Sequence, residues 1–141
     1  MSARACIFLV PGDWQAATGG YAYDRQIADG LREAGWGVEV CSPGDTFPLP
    51  DAATLAHAAK VIAALPDGAL VVADGLAFGA LPGLAAAHAH RLRWIALVHH
   101  PLSFEAGLPE ATRHDLFESE RRALAHARHV VVTSPSTARN R

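Results

Sequence analysis

The sequence predicts an α/β fold: an open parallel sheet of about five strands with helices on both faces. Three observations carry that expectation. Short apolar runs alternate with amphipathic stretches along the whole chain, as strands alternate with crossover helices. Runs such as Ala69–Ala73 are apolar throughout rather than every second residue, the pattern of a strand covered on both faces. Gly, Pro and Asp clusters separate nearly every pair of segments. The 141 residues are enough for one domain with a core and too few for two, so 1–141 is treated as a single domain.

The first strand is Ala5 to Val10, ended by Pro11-Gly12. A polar loop follows and closes with Thr18-Gly19-Gly20, where a helix begins that runs to about Ala34. Tyr23, Ile27, Leu31 and Ala34 lie at helical spacing and are assigned to its covered face. Asp24, Arg25, Asp29, Arg32 and Glu33 are assigned to the solvated face. Gly35 supplies the helix stop. The second strand, Val38 to Cys41, ends at Ser42-Pro43-Gly44, and a proline-containing loop leads to Asp51. Asp51 is a helix cap, and Leu55, Ala58, Ile62 and Leu65 mark the covered face of the helix that follows. The third strand is Ala69 to Ala73 and the next helix lies around Leu81 to His90. The fourth strand is Trp94 to Val98, followed by an irregular stretch, His99 to Leu108. A helix from about Pro109 to Arg128 has Leu116, Glu120, Ala123 and Ala127 on one row, flanked by Phe117 and Leu124. The fifth strand is His129 to Thr133, and Ser134 to Arg141 reads as the start of another helix.

Composition excludes some classes of function. The net charge is −2, Lys60 is the sole lysine and the arginines are scattered, so no basic surface for nucleic acid is expected. Cys6 and Cys41 are placed inside strands, away from a strand end, and are expected as free thiols without thiol chemistry. The N-terminal residues lack the apolar stretch of a signal peptide, and no run approaches the ~18 apolar residues of a membrane span. A soluble, intracellular protein is the expectation.

In open parallel sheets, ligands bind outside the C-terminal ends of the strands. The residues at those ends are Gly12 to Gly20, Ser42 to Asp45, Asp74-Gly75, His99-His100 and Ser134, so the unusual polar residues converge on one rim. Gly19-Gly20 lets the backbone approach a ligand at a helix N-terminus, or serves only to pack the helix on the sheet. The spacing is neither G-x-G-x-x-G nor a nucleotide P-loop. His99-His100 offers proton transfer near neutral pH or hydrogen bonds to sugar hydroxyls or phosphate; local backbone capping is the alternative. A metal site there, as in a metal-dependent hydrolase centred on His99-His100, is the weakest reading and is set aside, because adjacent histidines point apart and no carboxylate-rich or cysteine-rich partner lies at ligand spacing. Glu105 either reaches the same cleft or is solvated, and Asp74 either faces the site or caps the next turn. Glu120 with Arg121 is assigned to a structural ion pair. Trp14 is either a stacking platform or packing over the glycine loop, and His88, His90, His126 and His129 are assigned no ligand role. No G-x-S-x-G elbow is present.

Several segments, in order, resemble the N-terminal domain of family 4 glycosyltransferases, which are retaining, GT-B-fold enzymes. These are Thr18-Gly-Gly-Tyr-Ala-Tyr-Asp-Arg25, Leu31-Arg-Glu-Ala-Gly35, Leu97-Val-His-His-Pro-Leu102, and Glu118-Ser-Glu-Arg-Arg-Ala-Leu124 leading into Val130-Val-Val-Thr-Ser134. The resemblance implies a Rossmann-like domain, one half of a GT-B fold, that forms the acceptor side of a cleft. By the same resemblance Gly19, Gly20 and Tyr21 lie at the cleft near the donor diphosphate and the acceptor. His99 contacts the transferred sugar as the catalytic candidate. Asp74, His100 and Glu105 line the acceptor side, and Ser134 sits near the interdomain crossover. The implied reaction moves a sugar from a nucleotide-sugar to a hydroxyl acceptor with retention. It needs no metal and no cofactor beyond the nucleotide-sugar co-substrate. The donor-binding half, with its glutamate pair spaced E-x7-E, is absent from these residues, so the domain is expected to be inactive alone. A cytoplasmic location is implied, compatible with peripheral association at the inner face of the membrane. The alternative is a non-catalytic Rossmann-like or flavodoxin-like module that binds phosphate or nucleotide through the Gly19-Gly20 turn.

Overall fold

The structure, a computed structural model, describes residues 4–12, 19–99, 102–104 and 107–132, with the backbone only at 19–22 and 104. Within them, five strands form one all-parallel sheet: β1 (Ala5–Leu9), β2 (Gly37–Cys41), β3 (Leu70–Asp74), β4 (Arg93–Val98) and β5 (His129–Val132). Their spatial order is β2-β1-β3-β4-β5, so the winding reverses between β1 and β3. The helices are α1 (Gly19–Glu33), α2 (Ala52–Ala63), a four-residue α3 (Gly75–Phe78), α4 (Pro82–His88) and α5 (Glu110–Leu124), with a 3-10 turn at Leu102–Phe104. This is an open, Rossmann-like α/β sheet, as the alternation of segments predicts.

Side chains alternate across the sheet and sort the core into two layers. Cys6, Phe8, Val10, Val72 and Leu97 face one side, where Ala28, Ile27 and Leu31 of α1 cover them. Leu9, Val71, Ala73, Trp94, Ala96 and Val98 face the other, against Ala58 and Ile62 of α2, Ala85 of α4 and Ala123 of α5. Buried Trp94 anchors this second layer: its ring lies 5.1 Å from that of Phe78, and its indole N–H donates to the Ala85 carbonyl at 3.2 Å. Helices on both faces are needed, because a parallel sheet presents apolar side chains both ways.

Local signals explain most boundaries. Gly35 ends α1 with φ +95°, a left-handed residue that favours glycine. The Gly35 N–H donates to Arg32 O and the Trp36 N–H to Leu31 O, closing the helix with its last carbonyls satisfied. Asp51 caps α2, accepting the Thr54 N–H at 2.8 Å.

The structure also corrects several placements. Tyr23 is 44 % exposed and Asp24 is fully buried, so the covered stripe of α1 is Asp24, Ile27, Ala28 and Leu31. In α2, Leu55 is exposed and Thr54 is buried, and on α5 Phe117 is exposed. Helix α5 stops at Leu124, short of Arg128, and α3 is an addition to the expected elements. Cys41 is the last residue of β2, at a strand end after all. Both cysteines are free. Burial and then Glu39 push the Cys41 thiol up to about 11, which keeps it from acting as a thiolate. Thr133 and the residues 134–141 lie outside the described residues, as does Trp14.

Gly75 controls how tightly the ends of β3 and β4 approach. A Cβ there would lie 2.9 Å from the Leu97 carbonyl oxygen and 3.3 Å from Val98 Cα, both backbone atoms that cannot step aside. Gly30, in the last turn of α1, has nothing within 4 Å of the same position. Gly75→Ala is therefore expected to cost about 1–3 kcal/mol, whereas Gly30→Ala should stabilise by up to about 1 kcal/mol. Urea denaturation of the two variants checks this, and equal effects would show that the strand ends part at no cost.

Candidate active site

Three side chains from separate segments meet beyond the C-terminal ends of the central strands. Asp74 is the last residue of β3 and pairs in register with Leu97 of β4, so His99 follows two residues beyond its neighbour. Glycine at position 75 lets the chain turn away from β3 in contact with β4, which keeps Asp74 beside His99. Asp24 comes from α1, four residues beyond Gly20 and therefore about 6 Å further along the helix axis. His99 Nε2 lies 3.0 Å from Asp24 Oδ1 and 3.2 Å from Asp74 Oδ2.

The cluster is closed to solvent on two of its three members. Asp24 is 0 % and Asp74 2 % exposed, while His99 retains 19 % of its side-chain surface. Asp74 is well supplied with donors: its Oδ1 accepts the Leu76 N–H at 2.9 Å, capping α3, while Oδ2 faces the imidazole. The capping and site-facing readings of Asp74 thus both hold. Asp24 is less well supplied, because its Oδ2 is buried without a hydrogen-bond partner. Tyr23 packs beside the imidazole, with ring centroids 5.9 Å apart and planes tilted by 51°.

Burial and mutual contact shift all three groups. Burial by itself would lower His99, but its hydrogen bonds to Asp24 and Asp74 outweigh that and raise it to about 9. The imidazole is thus protonated at neutral pH. Burial raises Asp24 to about 7, reinforced by Asp74 and opposed by His99. Asp74 moves the other way: burial would raise it, but hydrogen bonding to His99, Asp24 and the Leu76 N–H holds it below the ordinary carboxylate range. An imidazolium already carrying its proton can donate hydrogen bonds and stabilise negative charge, but it cannot serve as a general base.

The same three residues could also hold a metal ion, since one ligand atom from each lies within 4.8 Å of the others. This corrects the ground on which the sequence sets metal aside. Carboxylates do lie at ligand spacing from His99, supplied from 75 and 25 residues away. No spacing rule within one segment finds such a set. A signal for Asp24 does exist: it shares a helical stripe with Ala28 and Leu31, at i+4 and i+7, which are apolar. Its charge sends it to the solvated face in a periodicity count, and that is why it is missed.

Other expected residues are placed as follows. Gly19 and Gly20 open α1 on the same rim as the cluster, and no acidic residue occupies the first turn of that helix. The side chain of Tyr21 is not among the described atoms, and His100, Glu105 and Ser134 lie outside the described residues. Ser42 and Asp45 line a cleft of about 410 Å³ on the β1–β2 side of this rim, with Gly12, Thr46, Thr54 and His57. A larger hollow of about 600 Å³ lies at the opposite ends of the strands, between Ala5, Gly37, Gly68 and Arg93, far from the histidine. Glu120 is buried and accepts the Leu102 N–H at 3.3 Å, while Arg121 pairs with exposed Glu118 at 2.7 Å. His88 accepts from Arg91 Nε through Nδ1, a structural contact, and His126 and His129 are exposed.

Comparison with known proteins adds no further constraint: no family model, curated protein or solved structure matches the chain.

The pKa shifts fix the sign of a pH dependence. His99 is raised in the folded state, so its contribution to stability is complete below its ordinary value near 6.5 and is lost as pH rises towards about 9. Asp24 is also raised, so its contribution fades from the ordinary carboxylate range up to about 7. Asp74 is lowered, and its contribution disappears only as pH falls below that range. The stability difference between the wild type and His99→Gln is expected to be largest at mildly acidic pH and to shrink steadily towards about pH 9. Thermal melts of both proteins across that range check it, and a difference that grows with pH would contradict the cluster.

Proposed function

We propose that this chain is the acceptor-side domain of a retaining glycosyltransferase of the GT-B type, moving a sugar from a nucleotide-sugar to a hydroxyl acceptor. One observation carries the reading. The 3.0 Å contact between Asp24 and His99 joins the helix opened by Gly19-Gly20 to the end of β4. The two motifs that most resemble that family therefore share one rim, at the side of the sheet where such folds bind ligands.

The chemistry of the rim suits a leaving group that is an anion. The N-terminal turn of α1 directs backbone N–H groups and the positive end of its dipole outward, with no acidic side chain of its own in that turn. Gly19 and Gly20 let a diphosphate approach those N–H groups closely. His99, held as an imidazolium between Asp24 and Asp74, adds a fixed cation on the same rim. Its role is to orient the sugar and stabilise charge that develops as the bond to the diphosphate breaks, not to attack the sugar. His100 and Glu105 would complete the acceptor side and Ser134 the approach to the donor half. Turnover requires that second half, because donor and acceptor must be held in line for transfer. The nucleotide-sugar is a co-substrate, and the protein's own groups carry the rest.

The test is made in the transferase that carries this domain. His99→Ala is expected to lower kcat by roughly 10²–10³-fold, beyond what any loss of folded protein accounts for, as measured by turnover beside a thermal melt. Unchanged turnover per folded molecule would remove His99 from the mechanism. Tight binding of a nucleoside diphosphate by this chain alone, with no transfer in any longer form, would instead favour a nucleotide-binding module.

A further inference from the structure

We propose that Glu120, with Ser119 before it on α5, is a positioning residue for the cluster: the pair ties together the segments that follow β3 and β4, and so holds Asp74 against His99. The proposal goes beyond the transferase reading, because it concerns the geometry of the rim and stands whatever ligand the rim takes.

Glu120 lies on the buried stripe of α5, with Leu116 one turn before it and Ala123 one turn after. Packing alone calls for an apolar side chain there, because a buried carboxyl group gives up hydration that it must recover from donors. Arg121, the basic neighbour in sequence, pairs instead with exposed Glu118 at 2.7 Å. Glu120 Oε2 accepts the Leu102 N–H at 3.3 Å, at the start of the 3-10 turn. Leu102 is buried and lies three residues beyond His99 in the chain, so this bond anchors the segment that leaves β4.

Ser119 anchors the segment that leaves β3. Its hydroxyl donates to the Gly79 carbonyl at 2.7 Å, and Gly79 closes α3, the short helix that Asp74 caps. The two anchored segments also meet each other. A Cβ on Gly79 would lie 2.8 Å from Leu102 Cδ1, 3.0 Å from the Gly75 carbonyl oxygen and 3.3 Å from Glu120 Cγ. Gly79, Leu102, Ser119 and Glu120 therefore form one tight junction, with Asp74 at the start of one arm and His99 at the start of the other. The β3–β4 ladder ends with Asp74 and Leu97, two residues short of His99. Register with β3 alone thus does not set the 3.2 Å contact between Asp74 and His99, and the junction on α5 supplies the second constraint.

NMR and hydrogen exchange on the 141-residue chain test this. One reporter is the contact between the Tyr23 and His99 rings, whose centroids lie 5.9 Å apart. The other is the Leu76 amide, which donates to Asp74, read against the amides of β3. Glu120→Gln keeps an acceptor oxygen of the same reach, whereas Glu120→Met keeps the bulk without one. Glu120→Met is expected to lose the Tyr23–His99 cross-peaks and to exchange the Leu76 amide about tenfold faster relative to β3, while Glu120→Gln retains wild-type behaviour in both. Ser119→Ala should speed Leu76 exchange in the same way. Ile62→Val, which thins the core under α2, is the control: it lowers the melting temperature but should leave both reporters unchanged. Cross-peaks and relative Leu76 exchange that stay at wild-type values in Glu120→Met would overturn the proposal. So would the loss of both reporters in Glu120→Gln, or an equal change in Ile62→Val, since a merely structural side chain would act that way. Should Glu120→Met not fold, Ser119→Ala decides, and unchanged Leu76 exchange in it overturns the proposal. None of these readouts involves sugar, so the transferase reading and the positioning role can fail separately.

Discussion

One imidazole nitrogen between two buried carboxyl groups joins the parts of this fold that topology alone leaves loosely related. Helix α1 is the only helix among the described residues on its face of the sheet, and it crosses from β1 to β2, away from β4. Its apolar stripe packs in one cluster with Phe8 of β1, Val38 of β2, Val72 of β3 and Leu97 of β4, and such packing tolerates small slides along the sheet. A 3.0 Å contact from Asp24 to His99 does not. The hydrogen bond fixes α1 relative to the ends of β3 and β4, across the point where the winding reverses. Burying polar groups this way contributes little net stability, and well-packed apolar residues could do as well. What the cluster supplies is a defined position for the glycine-opened end of α1 over the strand ends.

Much of this fold was legible in the chain and part of the site was not, for the same physical reason. The strand cores at Phe8, Val72 and Ala96 announce themselves because a buried parallel strand has no polar side to show. Helix stops and caps such as Gly35 and Asp51 are local, and local signals survive in sequence. The first position of each helical stripe was misplaced by one residue, since Tyr23 and Leu55 face solvent while Asp24 and Thr54 are buried, whereas Ile27, Leu31, Ala58, Ile62 and Leu65 pack as expected. Periodicity counts apolar residues, and where a buried position is polar it rotates the apparent stripe towards the nearest apolar neighbour. Asp24 is such a position, so the error in the helix face and the omission from the site are a single error. Asp74 and His99 were legible as strand-end residues, but their contact was not, because it depends on strand register and on the close approach that Gly75 permits.

The electrostatics narrow what the cluster can do. A histidine at a strand end reads naturally as a proton acceptor near neutral pH. Enclosed by Asp24 and Asp74, it is raised to about 9 and is no longer available for that work. What remains is a directed cation whose orientation does not depend on the ligand's arrival. Such preorganisation matters most where charge develops on a leaving group, because fixed dipoles need not reorganise as the bond breaks. The N-terminus of α1 supplies a second fixed positive potential on the same rim. Together they put two sources of positive potential on one rim.

The two carboxyl groups that enclose the imidazole are not equivalent. Asp24 and Asp74 are equally aspartates, yet Asp74 Oδ1 accepts the Leu76 N–H at the cap of α3, while Asp24 Oδ2 is buried without a hydrogen-bond partner. The asymmetry arises from backbone geometry rather than from residue type. Because α3 begins directly after β3, its first N–H groups are available to Asp74 and to no other carboxyl of the cluster. The short helix that the sequence pattern did not announce therefore helps hold Asp74 below the ordinary carboxylate range, while burial raises Asp24.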